Sequence, residues 1–157
     1  MFSKDVAYLD QDTLFWYSKV YGIWQEKKLP VVILRTACSW DVQTAILAQG
    51  RKRLSVVNEY RMLAGLAPLP ASDPNNIVSW TVTSKHILPL DPKKPQKVCA
   101  FDIGLLDPDG RITYDLKADV NKDQVPDYKQ LGATWKDLNP RCRWGGDYGD
   151  YGHFEFN

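Results

Sequence analysis

The chain contains only two histidines, and each lies beside residues that suit metal chemistry. His86 follows Ser84 and Lys85. His153 closes the run Asp150-Tyr151-Gly152-His153 and precedes Phe154-Glu155-Phe156. Between the two, an acidic residue interrupts an apolar stretch, Ala100-Phe101-Asp102-Ile103. Two imidazoles, one carboxylate and a further carboxylate just ahead of the last histidine make a full set of parts for metal-activated water. A catalytic zinc takes three protein ligands of nitrogen or oxygen type and keeps one position open. Asp150 stands where a carboxylate can lie near that position without ligating, take a proton from bound water and hand it to a leaving amine.

Taken singly, these residues are weak signals. A lone histidine is often a hydrogen-bonded core or surface residue. Period two puts Asp102 on the strand face of Val98 and Ala100, opposite Phe101 and Ile103. A carboxylate in such a strand is costly unless paired or metal-bound. By itself, Asp102 reads more simply as a buried Asp satisfied by a backbone N–H or an arginine. Asp150, between Gly149 and Gly152, also reads as a turn former. The weight comes from the entire histidine content falling into two such contexts with Asp102 between them.

The elements that must position these groups follow from periodicity. Leu14, Tyr17, Val20, Tyr21 and Trp24 recur at helical spacing and predict a helix over residues 11–27, ended by Pro30. Val31-Val32-Ile33-Leu34 reads as a buried strand closed by Arg35-Thr36. Ser39 is placed to cap a second helix with Val42, Ala45 and Ile46 on its apolar face and Gly50 as its stop. Leu54, Val57, Tyr60 and Met62 predict a third. Residues 65–74 read as loop, and Ile77 to Thr83 alternates as a half-buried strand should. The proline- and lysine-rich stretch 87–97 reads as loop, and Val98 to Leu106 as strand. Asp107-Pro108-Asp109-Gly110 is a turn whose hairpin partner is Arg111 to Leu116. Pro126 opens a helix with Tyr128, Leu131, Trp135 and Leu138 as its stripe, and a glycine-rich tail delivers His153 to a final short strand. Hairpin strands mixed with separate helices indicate an α+β fold.

Composition sets the outer limits. A length of 157 residues fits one domain, 1–157, able to bury a core without disulfide staples. Cys38, Cys99 and Cys142 are odd in number and far apart, so free thiols are expected. A net charge of +1 argues against a phosphate-backbone binder, and hence against a nucleic-acid partner for the aromatics. No apolar run approaches the ~20 residues of a membrane span, so no membrane insertion is expected. Met1-Phe2-Ser3-Lys4-Asp5 lacks the apolar region of a secretory signal, so synthesis in a cytoplasm is expected.

Five short motifs in order carry a family resemblance: Leu34-Arg35-Thr36, the helix from Gln43 ending Ala48-Gln49-Gly50-Arg51, Ser84-Lys85-His86, Ala100-Phe101-Asp102, and Trp144-Gly145-Gly146-Asp147 leading into Asp150-Tyr151-Gly152-His153. Over residues 30–157 the chain resembles zinc peptidases of peptidoglycan stem peptides, namely phage L-alanyl-D-glutamate endopeptidase endolysins and the related D-Ala-D-Ala carboxypeptidases and dipeptidases. The resemblance implies a small antiparallel sheet flanked by helices, in the D-Ala-D-Ala carboxypeptidase/hedgehog-like zinc peptidase fold. It implies Zn2+ on His86, Asp102 and His153, and Asp150 as general base and acid. Arg35 would hold substrate and stabilise the oxyanion, with Gln43 and Ser84 as further substrate contacts. The implied partner is bacterial peptidoglycan, met by a monomer made in a host cytoplasm and acting in the periplasm or wall during lysis. The Ala-Gln-Gly-Arg run points to the L-Ala–D-Glu bond. The rivals are a D-Ala-D-Ala or L,D-carboxypeptidase and a non-catalytic, zinc-stabilised wall-binding module.

Two departures from the family pattern affect the cleft. Fifteen residues separate His86 from Asp102, longer than in the family, and the Arg35–Gln43 spacing is also long. One further motif, Asp119-Val120-Asn121-Lys122-Asp123, opens like a calcium loop. It has Gln124 where an EF-hand needs Gly and Gln130 where it needs Glu, so it fails as an EF-hand.

Overall fold

In the computed structural model, which describes residues 1–157, the chain runs β1 (Phe2–Ser3), α1 (Gln11–Glu26), β2 (Val31–Arg35), β3 (Ala37–Cys38), α2 (Trp40–Ala48), α3 (Leu54–Leu63), β4 (Ala100–Leu106), β5 (Ile112–Thr113), α4 (Asp127–Leu138), β6 (Cys142–Trp144) and β7 (His153–Phe156). The fold is α+β, with a small antiparallel sheet and four helices. No helix is long and apolar enough to cross a membrane.

The sheet order is β2-β4-β7-β6, and β5 pairs with the far end of β4. Alternation along β4 and β7 divides the sheet into two unlike faces. Phe101, Ile103, Phe154 and Phe156 point into the core, where α1 and α4 cover them. Phe101 stacks on Phe154 with ring centroids 5.4 Å apart, and Tyr17 of α1 and Trp135 of α4 meet Phe101 edge-on at 5.0 and 5.3 Å. The Trp135 indole N–H donates to the carbonyls of Arg143 and Glu155, which ties α4 to β6 and β7. Each buried aromatic of this kind is worth several kcal/mol of core stability.

The opposite face carries a polar row. Register pairs Arg35 of β2 with Asp102 of β4, and Asp102 with His153 of β7. A β-bulge in β2 makes that row possible. Ile33 pairs with Ile103, but the next pair is Arg35 with Asp102, so Leu34 is the extra residue. Without the bulge, Leu34 would face Asp102 and Arg35 would be turned toward the core side.

Four of the sequence expectations are altered in the fold. Ile77 to Thr83 is not a strand, and Val78, Trp80 and Val82 lie exposed. Alternation creates a face, but a strand also needs a partner edge, and this segment finds none. The strand expected from Val98 begins at Ala100, because Val98 bridges Leu9 instead. The hairpin return expected over 111–116 shrinks to Ile112–Thr113. The Ser39 hydroxyl does not cap α2 and instead accepts a hydrogen bond from the Met1 amine at 2.9 Å. The short strands β1, β3 and β6 carried too little pattern to be expected.

Candidate metal centre

Three elements deliver the three expected ligands to one point. Asp102 and His153 are cross-strand partners on β4 and β7. His86 comes from the chain segment that runs beside β3, where the Cys38 N–H donates to the His86 carbonyl at 2.8 Å and the Leu88 N–H to the Cys38 carbonyl at 3.0 Å. His86 Nε2 lies 3.0 Å from Asp102 Oδ1 and 3.2 Å from His153 Nδ1, and His153 Nδ1 lies 2.9 Å from Asp102 Oδ1. His86 is fully buried and His153 is 8% exposed.

The outer nitrogen of each ring fixes its tautomer. His86 Nδ1 lies 2.7 Å from the Thr36 carbonyl oxygen, which only accepts, so Nδ1 carries the hydrogen. His153 Nε2 lies 3.4 Å from Glu155 Oε2, which leaves Nδ1 as the lone-pair nitrogen of the neutral ring. Two imidazole lone pairs and a carboxylate oxygen therefore converge. Such a trio repels itself unless a cation lies between. The edge of a tetrahedron around zinc with bonds of ~2.0–2.1 Å is ~3.3 Å, close to the triangle found here. His86, Asp102 and His153 form a group able to hold a metal ion.

Electrostatics agree with the geometry. With inward protons on the rings in place of a metal, burial works against the Asp102 charge, but the neighbouring His86, hydrogen bonds from both rings, and Arg35 outweigh it and hold its pKa well below the usual carboxylate range. Burial likewise opposes a charged His153, yet hydrogen bonds to Asp102 and Glu155 and the charges of Asp102 and Asp150 lift it to about 9. In the metal-free chain a proton on His153 is thus the cation that this cluster gathers.

The centre opens into a cleft of about 520 Å³. Ser84, Arg35, Asp150 and His153 line it, with Trp80 and Tyr148 on its walls. Asp150 reaches it through a tight turn. Its N–H donates to the Gly145 carbonyl at 2.9 Å, and its own carbonyl accepts from the His153 N–H at 3.1 Å. A Cβ at position 145 would come within 2.3 Å of the Asp150 carbonyl oxygen, so glycine is required there. The Asp150 carboxyl is pushed above the usual range, chiefly by desolvation and next by the Asp102 charge, and no side-chain hydrogen bond holds it.

The remaining expected residues divide. Arg35 lines the cleft, but its Nε and Nη2 both lie 2.7 Å from Asp102 Oδ2. That contact leaves Oδ1 facing the rings. Ser84 lines the cleft and its hydroxyl accepts from the His86 N–H at 3.3 Å. Gln43 does not reach the cleft. It is buried, and its amide donates to the Thr81 carbonyl at 2.7 Å and the Ser79 hydroxyl at 3.0 Å, holding the cleft-lining segment from behind. The Pro- and Lys-rich stretch does not contribute to the lining.

Two orienting groups were missed in the sequence. Glu155 was findable, since it lies two residues past His153 on the same strand face. The Thr36 carbonyl was not, because any residue supplies one. No protein-family model matches the chain, and no curated protein matches it.

Proposed function

We propose that the chain is a zinc metallopeptidase that cleaves peptidoglycan stem peptides, first of all the L-Ala–D-Glu bond, as a phage endolysin in host lysis. The observation that carries this reading is the convergence of His86 Nε2, Asp102 Oδ1 and His153 Nδ1 within 3.2 Å beneath a cleft that Asp150 lines. His86, Asp102 and His153 would hold Zn2+, which when bound lowers the pKa of a water ligand toward ~7 and polarises a carbonyl.

The chain's own groups supply the rest. A carboxyl with a raised pKa and no hydrogen bond is suited to accept a proton at one step and return it at the next, so Asp150 serves as general base and then general acid. Thr36 and Glu155 hold the two rings with their lone pairs inward. Arg35 positions Asp102 through Oδ2, and the N–H groups not used there are available to a substrate carbonyl or carboxylate. The open cleft suits a polymer better than a small buried ligand. A non-catalytic wall-binding module is the poorer reading, since a structural metal needs no spare carboxylate beside it.

The test is metal analysis combined with turbidity of permeabilised bacteria, with and without chelator. About one zinc per chain and chelator-sensitive clearing are expected. Mass spectrometry of the digested wall then separates released stem peptides from loss of terminal alanine, which would indicate a carboxypeptidase. Clearing that survives complete chelation would sink the proposal.

A further inference from the structure

Past the Asp150 turn lies a second hollow. This recess of about 410 Å³ is lined by Leu34, Tyr114, Leu116 and Tyr128, and Asp102 and Asp150 reach it from the centre. Gly149 and Asp150 line the cleft as well, so the two hollows meet at that turn. Their chemistry differs. The cleft gathers Arg35, Lys85 and several Ser and Thr hydroxyls, and its Glu155 is engaged by the His153 ring. The recess presents mostly apolar side chains.

The bulge in β2 builds the floor of the recess. Gly104 lies two residues beyond Asp102 and shares its sheet face. Leu34, the extra residue, lies over it. A Cβ at position 104 would come within 3.1 Å of Leu34 Cδ1 and 2.9 Å of Ile112 Cγ2. Glycine there leaves room for an apolar side chain on a face that is otherwise polar. The wall is fixed from below. The Tyr128 hydroxyl donates to the Thr113 carbonyl at 2.9 Å and accepts from the Leu105 N–H at 3.4 Å, which anchors β5 just before Tyr114. Tyr114 and Leu116 themselves stand 68% and 42% exposed. Apolar groups held open beside a polar centre suit a ligand better than a core.

We propose, on the peptidase reading of the centre, that this recess is the subsite for the amino-terminal side of the scissile bond. It takes the L-alanyl methyl together with the lactyl ether and the amino sugar that carries it. The L-Ala–D-Glu bond is unlike on its two sides. D-Glu brings a carboxylate next to the scissile nitrogen, which suits the cleft with Arg35 and Lys85. L-Ala brings only a methyl, and its own nitrogen is acylated by the lactyl group of muramic acid. One residue spans at most ~3.6 Å, so a chain cut at that bond sets the sugar against the protein close to the centre. A sugar ring offers C–H groups that pack on an aromatic face such as that of Tyr114, while its hydroxyls stay in water. Hollows on both sides of Asp150 suit a bond inside a chain, whereas a carboxypeptidase needs room for one terminal residue on the leaving side.

Steady-state kinetics of the full zinc-loaded chain test this on two soluble substrates, a bare stem tetrapeptide and the same peptide carried on N-acetylmuramic acid. The wild type is expected to favour the muramyl substrate about tenfold in kcat/KM, chiefly through KM. Tyr114→Ala and Leu116→Ala should each reduce that preference to about threefold or less. Both residues are exposed, so circular dichroism of the variants should match the parent. Trp80→Ala, on the cleft wall, should keep the preference whatever it does to the rate. Equal use of the two substrates by the wild type overturns the proposal, as does a preference undiminished in both recess variants. Failure of the peptidase reading looks different, since neither substrate is then turned over. In that case saturation-transfer NMR with N-acetylmuramyl-L-alanine decides the recess by itself. Binding that weakens in Tyr114→Ala and Leu116→Ala supports the subsite. No binding by the wild type, or undiminished binding by both variants, overturns it.

Discussion

The two faces of the central sheet are built from alternate residues of the same strands, yet they do opposite things. Phe101, Ile103, Phe154 and Phe156 bury apolar area and hold the fold together. Asp102, between two of those residues, and His153, directly before a third, gather charge that would be costly without a cation. The apolar face is over-determined, since α1 and α4 both cover it and β6 extends it. The polar face depends on a few atoms, among them one carboxylate shared by two rings and an arginine. Stability and chemistry are therefore separable here to an unusual degree, and substitutions on the two faces should fail in different ways.

The sharpest separation is expected from His153→Ala. It should remove the bound metal and abolish wall clearing, with a circular-dichroism spectrum like that of the parent. Retained stoichiometric metal would break the assignment of the centre. Asp150→Ala should keep the metal yet lower clearing by ~10²–10⁴-fold, the usual range for a general acid–base residue. Undiminished clearing by that variant would remove Asp150 from the mechanism. On the other face, Phe101→Ala should lower stability by about 3–5 kcal/mol, read as a melting shift of roughly 6–20 °C, while the molecules still folded in the cold keep their metal.

Smaller effects probe the groups that join the faces. Glu155→Gln should weaken metal binding by roughly 10–100-fold, because it loosens the ring that it orients. The pH dependence carries a definite sign. The folded chain raises the His153 pKa from 6.5 to about 9, so in chelated protein this contribution to stability is complete below about 6.5 and lost as pH rises through about 9. Metal-loaded protein should not show that loss, since the ion replaces the proton. For the same reason metal affinity should climb with pH until about 9, and calorimetry near neutrality should register proton release on binding.

Much of the scaffold was legible in the chain because long periodic segments leave little choice. The α1, α2, α3 and α4 helices and the strands β2, β4 and β7 follow from apolar spacing and from Pro, Gly and turn residues at their ends. The short strands were not legible, for two or three residues hold no period. The segment 77–83 misled, since its alternation promised a strand that no neighbour was there to pair. Of the candidate site, residue types singled out His86, Asp102, Asp150 and His153; the fold joins His86, Asp102 and His153 in one group and lines one cleft with Asp150 and His153. Gln43 was assigned to substrate and lies behind the cleft, because a helix pattern does not say which neighbour an amide will meet.

Sequence alone determined the composition of the centre: two imidazoles and two carboxylates, with no other histidine to compete. It also determined that Asp102 and His153 would each break an apolar strand, on the face opposite its aromatic neighbours. Tertiary structure decided everything that rests on register. A single extra residue at Leu34 turns Arg35 to the face of Asp102, and the Thr36 carbonyl just beyond it selects the His86 tautomer. Neither can be read from side-chain type, because both are backbone events. A bulge and a carbonyl are available to any residue, and only the packing of the sheet determines where they fall.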